Sequence, residues 1–142
     1  LAADSTWREA PAPGESARVP QAVLASAVRV GDRDMARRAL SALDAMPDGE
    51  QRPLDAAATC EALVDAYVHT RRQRFSHRAR AAFGWFLGDN AAATPVYDPE
   101  TGGCHDGIGA DRARHGEGAA STLAYYQALV PMVASGLAAL PR

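Results

Sequence analysis

Carboxylates set beside flat aromatic rings are what sugar recognition requires, since acids take hydroxyl protons and ring faces cover C–H surfaces. The stretch from Trp85 to Tyr125 carries this combination: Asp98, Asp106, Asp111 and Glu117 concentrate negative charge, while Trp85, Tyr97 and Tyr125 supply flat faces. Paired carboxylates can also do acid/base work at a glycosidic bond. Asp106, Asp111 and Glu117 are therefore the catalytic candidates, and Trp85, Tyr97, Asp98 and Tyr125 are candidates for holding substrate. Glu61 joins the binding set, because it and Asp65 lie one helical turn apart beside small residues. The same residue types also make Asx turns and helix caps on a solvated loop, so composition alone leaves both readings open.

Other chemistries fit less well. Cys104, His105, Asp106 and His115 follow no zinc spacing, and adjacent ligands strain tetrahedral coordination, so no metal site is expected. Gly14, Gly31 and Gly49 are isolated turn glycines, and there is no glycine-rich phosphate loop. We expect no cofactor and no nucleotide-sugar site on this segment. Two distant cysteines, Cys60 and Cys104, read as free thiols of a cytoplasmic protein.

The elements that must position these residues are helical. After a breaker cluster at Pro11–Glu15, apolar residues Val19, Val23, Ala27 and Val30 recur at helical spacing over about 17–30. Gly31 stops that helix and Asp32 caps the next, whose inner face is Met35, Ala39, Ala42, Leu43 and Met46. Pro53 suits the first position of a third helix. A fourth runs over about 74–87, with Phe75, Ala79, Ala82, Phe83 and Phe86 on one face. A long connection over 89–118 follows, which we expect to be ordered, with a tight turn at Asp98-Pro99-Glu100-Thr101-Gly102. The last helix spans about 119–140, with a kink or break one turn before Pro131. Leu24–Val28 matches Leu63–Tyr67, and Met35, Arg38, Ala39, Leu43 and Met46 match Phe75, Arg78, Ala79, Phe83 and Phe86, a repeat of one helical hairpin.

Three blocks carry a family resemblance: Trp85–Asn90 (WFLGDN), Tyr97–Gly107 (YDPETGGCHDG) and Gly118–Tyr125 (GAASTLAY). They resemble the C-terminal part of the α/α-toroid domain of bacterial glycosyltransferase-like proteins, over about 52–140. The resemblance implies an all-α fold of helical hairpins forming part of an α/α toroid, with one long ordered loop over a central cleft. Residues 1–15 would be an irregular N-terminal segment and 16–142 a partial toroid domain. It also implies a carbohydrate-active or carbohydrate-binding role, with Asp106 and Asp111 as acid/base or hydroxyl-binding groups and Trp85 and Tyr97 as stacking platforms. One departure stands out: Ala120 occupies the position where the family pattern has Glu. The alternative is a non-catalytic helical-repeat scaffold or interaction module.

Composition sets the remaining expectations. With 47% apolar and 23% charged residues, the chain has material for a core. A net charge of -2 implies no nucleic-acid partner, and the absence of lysine beside many arginines and alanines suggests a GC-rich genome. No apolar run is long enough for a membrane span. Leu1-Ala2-Ala3-Asp4 has neither an initiator Met nor a charged region, so we expect no signal peptide and a piece of something longer. Leu123, Leu129, Val130, Met132, Val133, Leu137 and Leu140 cannot share one stripe, so the last helix should bury several sides. The expected partners are a sugar or glycoconjugate, together with a second copy or a missing part of the parent chain.

Overall fold

The structure, a computed structural model, describes residues 16–46, 52–109 and 116–139. Five helices form it: α1 (Arg18–Val30), α2 (Arg33–Ala45), α3 (Pro53–Thr70), α4 (Gln73–Leu87) and α5 (Ala119–Ala134). Among the described residues there is no β-strand, and an antiparallel bridge pairs Tyr97 with Cys104, so the fold is all-α. The N-terminal segment 1–15, the turn at 47–49, Asp111, His115 and the end of the last helix at Leu140 lie outside the described residues. No described helix is long and apolar enough to cross a membrane.

The helix boundaries follow local chemistry. Asp32 accepts the Met35 N–H at 2.9 Å, which satisfies one of the four N–H groups left open at the start of α2. Pro53 opens α3, where its missing N–H leaves nothing unpaired. The end of α2 has no glycine. Arg78 of α4 reaches across instead, donating to the carbonyls of Leu43 (2.8 Å), Asp44 (3.1 Å) and Met46 (2.7 Å). One guanidinium thus closes the C-terminus of α2 and fastens the first hairpin to the second.

α3 lies at the centre. Its Ala56, Ala57, Ala58, Cys60, Ala62, Leu63, Val64 and Ala66 are all buried, which requires neighbours around most of its circumference. The directions of those neighbours can be read from paired contacts. Arg18 meets Glu61 and Gln21 meets Asp65, so α1 runs parallel to α3. Late α4 (Phe83, Phe86) touches early α5 (Tyr125), while Arg80 reaches Leu137 beyond the end of α5. Hence α5 is antiparallel to α4. The two-residue link at Arg71-Arg72 makes α4 antiparallel to α3, which leaves α1, α3 and α5 running the same way.

Of the two outcomes expected for α5, a kink or a break before Pro131, the break is absent. The helix continues to Ala134 and ends in a turn, in which Ser135 N–H returns to the Pro131 carbonyl at 3.0 Å. Packing of Ala128, Leu129 and Met132 in the core holds it through the proline. The proline still has a local effect: it supplies no N–H to the Gln127 carbonyl four residues earlier. The opposite flank of α5 is open, with Leu123 61% and Val130 65% exposed.

Arg78→Met should destabilise the fold by about 2 kcal/mol, because three helix-end carbonyls lose a charged donor. Equilibrium denaturation measures this. An unchanged midpoint would mean that α2 is closed by other means.

Candidate functional site

The described part of the long connection is a small hairpin set on the end of α4. Val96 and Tyr97 both donate to the Phe86 carbonyl, at 2.9 and 3.0 Å. His105 donates back to Val96 (2.9 Å) and Asp98 to Gly103 (2.9 Å). The expected tight turn is present: Gly102 N–H bonds the Asp98 carbonyl at 2.8 Å, and the Asp98 carboxylate accepts the Glu100 N–H at 2.8 Å. Asp98 is thus used in an Asx turn.

The aromatic candidates converge beneath this hairpin. Tyr97 stacks on Tyr125 with centroids 3.9 Å apart and planes 11° from parallel. Tyr125 also meets Phe83 and Phe86, and Trp85 stands edge-on to Phe86. Trp85 and Tyr125 are only 3% and 2% exposed, so their faces are filled by one another's neighbours and none is open to a ligand. Burial pushes the Tyr125 hydroxyl up to about 12. The Cys104 thiol is likewise raised to about 12, chiefly by burial, and stays protonated and unreactive at neutral pH.

The acidic candidates hold the start of α5. Asp106 accepts the Ser121 hydroxyl at 2.7 Å and the Gly118 N–H at 2.9 Å, both on Oδ1. Its own N–H bonds the Gly116 carbonyl at 3.0 Å. A side chain at Gly118 would put a carbon 2.6 Å from Asp106 Oδ1, and one at Gly116 would lie 2.7 Å from Oδ2. Glycine at both places is what lets the chain wrap this carboxylate. The bond from Ser121, then that from Gly118, lowers the Asp106 pKa, so at neutral pH the group is an acceptor with no proton to give. Glu117 accepts the Thr101 hydroxyl at 3.2 Å, and its carboxylate fills the space beside Gly103. Cys104 N–H bonds Thr122, tying the hairpin to the same helix end. Asp106 and Glu117 therefore join loop to helix.

A second place gathers polar groups on an open surface. Between the parallel helices α1, α3 and α5 lies a cleft of about 470 Å³, lined by Gln21, Glu61, Asp65, Leu123, Tyr126, Gln127, Val130 and Pro131. Glu61 binds Arg18 with both oxygens, at 2.6 and 2.9 Å, and this bond is the main reason the Arg18 pKa is raised. Asp65 accepts from the Gln21 amide at 2.7 Å. Opposite them stand Leu123, Tyr126 and Val130, an i, i+3, i+7 stripe on α5. Tyr126 also donates to the Gly102 carbonyl at 3.2 Å, so one residue belongs to both the cleft and the hairpin turn.

Of the sequence candidates, Glu61 lies in this cleft, whereas Trp85, Tyr97, Asp98, Asp106, Glu117 and Tyr125 belong to the hairpin and its junction with α5. Gln21, Tyr126 and Gln127 were not expected at a site. The signal for Gln127 was available: it stands four residues before a proline inside a helix.

Asp106 gives a pH test. Its folded pKa is lowered, so its stabilisation is present above the ordinary carboxylate range, near pH 4, and is lost as pH falls through the lowered value. Asp106→Asn should reduce stability at pH 7 and flatten this acid dependence. Parallel pH–stability curves for the two proteins would contradict the capping role. No protein-family model matches the chain, and no curated protein matches it.

Proposed function

We propose that the chain is a carbohydrate-binding helical segment of the α/α-toroid type, and that its ligand lies in the cleft between α1, α3 and α5. One observation carries the reading. A polar wall of Gln21, Glu61 and Asp65 faces an apolar and aromatic wall of Leu123, Tyr126 and Val130, across a space the size of a small-molecule site. Sugars present these two characters on one ring: hydroxyls at the rim and C–H groups on the faces. The arrangement of helices supports the toroid part. Every second helix runs the same way, and the described residues that line the cleft all come from those three. The block pattern of Trp85–Tyr125 supports membership in a bacterial glycosyltransferase-like protein. The reading is of binding: of the two carboxylates among the described lining residues, Glu61 is held at both oxygens by Arg18 and Asp65 accepts from the Gln21 amide.

A second reading rests on the exposure of Leu123 and Val130, which flank Tyr126 at 38%. Contiguous apolar surface of this kind marks interfaces as well as ligand grooves. On that reading the α5 stripe buries against a second copy of the chain or against further helices of a larger toroid.

Calorimetric titration with neutral oligosaccharides should give saturable binding. Tyr126→Ala should weaken it about tenfold, equivalent to about 1.4 kcal/mol, while Tyr126→Phe retains it. No binding of any neutral oligosaccharide, or full affinity in Tyr126→Ala, would overturn the sugar reading. Sedimentation velocity separates the second reading: a mass that rises with concentration and falls back to monomer in Val130→Glu supports self-association, and a monomer at all concentrations excludes it.

A further inference from the structure

The cleft is rich in acceptors and poor in charged donors. Of the described residues that line it, two are carboxylates and none is basic. Arg18 approaches from outside the lining and compensates Glu61, while Asp65 takes its bond from the neutral amide of Gln21. Arg18 also feels the charge of Asp65, so two carboxylates against this one cation leave the cleft net negative. A third acceptor comes from the backbone. Pro131 has no N–H, so the helical ladder leaves the Gln127 carbonyl without its usual donor four residues on, and both residues line the cleft. A carbonyl without its helical donor can accept from another group, and Gln127 is an exposed residue of the cleft wall.

We propose that the cleft selects donor-bearing, cationic sugars, with the protonated amine of a hexosamine unit set against Asp65 and a hydroxyl donated to the Gln127 carbonyl. This names the substrate class of the carbohydrate reading and rests on it. The apolar stripe accepts the C–H face of a sugar ring of either charge, so it does not discriminate. Charge does, because an anionic sugar would bring a carboxylate against Asp65 with no lining cation to meet it. At this solvent-exposed position the discrimination is modest, and salt screens it.

The test uses three probes of equal length: an oligomer of glucosamine at a pH where its amines are protonated, its N-acetylated counterpart, and an oligomer of a uronic acid. Calorimetry at low salt should rank them in that order, with the amine-bearing oligomer roughly two- to fivefold tighter than the neutral one. Asp65→Asn and high salt should each abolish that preference while neutral binding persists. Pro131→Ala restores an N–H to the helix and occupies the Gln127 carbonyl. It should raise the melting temperature and still weaken both the amine-bearing and neutral oligomers by roughly two- to tenfold, a loss that unfolding cannot explain. Equal affinity for all three probes would overturn the selectivity while leaving the sugar reading intact. Binding of none would remove both. Undiminished binding in Pro131→Ala would remove the carbonyl from the site.

Discussion

The close approach of helices to α3 is the constraint on which the rest depends. Its alanines at 56, 57, 58, 62 and 66 are at most 2% exposed, and α1, α4 and α5 all use it as their floor. Small side chains let neighbours come near on several sides at once, where a single leucine stripe would serve one partner only. Because α1 and α5 each lie along α3 in the same direction, their facing flanks enclose the cleft, and Glu61 and Asp65 project from α3 into it. A larger residue at one of the buried alanines would push a neighbour outward and change the width of the cleft before it changed any polar group.

The long connection solves a different problem. A chain leaving α4 must return to the start of α5 without leaving backbone groups unpaired, and the hairpin at 96–105 does so by bonding to Phe86 at one side and to Thr122 at the other. The stack of Tyr97 on Tyr125, over Phe83 and Phe86, gives this loop a core of its own. Asp106 and Glu117 then fix where α5 begins. The loop thereby sets the register of α5, and so the placing of Tyr126, whose hydroxyl returns to the turn at Gly102.

Much of the fold was legible in the chain. Asp32, Pro53 and Gly31 marked helix ends because caps and breakers act locally, and Val96, Cys104 and Ile108, expected as anchors of the long connection, are buried. The centrality of α3 was harder to read, since alanine in a helix is common on any face and only tertiary contacts assign it. The roles of the loop residues show the same limit. Acids and aromatics close in sequence are equally the parts of a binding site and of a capped, self-packed junction, and Trp85 and Asp106 take the second use. Glu61 and Asp65 gave a usable signal by their one-turn spacing. Their partners Gln21, Tyr126 and Gln127 come from helices distant in the chain, and no local pattern brings them together.

The central claim is that the functional surface is the face shared by α1, α3 and α5, with the loop acting to position it. Mapping amide chemical-shift changes in the labelled protein during titration with a glucosamine oligomer tests this directly. The account predicts that shifts concentrate at Gln21, Glu61, Asp65, Tyr126, Gln127 and Val130, with Asp98 and Asp106 nearly still. Shifts centred on 98–106, with the three-helix face unmoved, would contradict it.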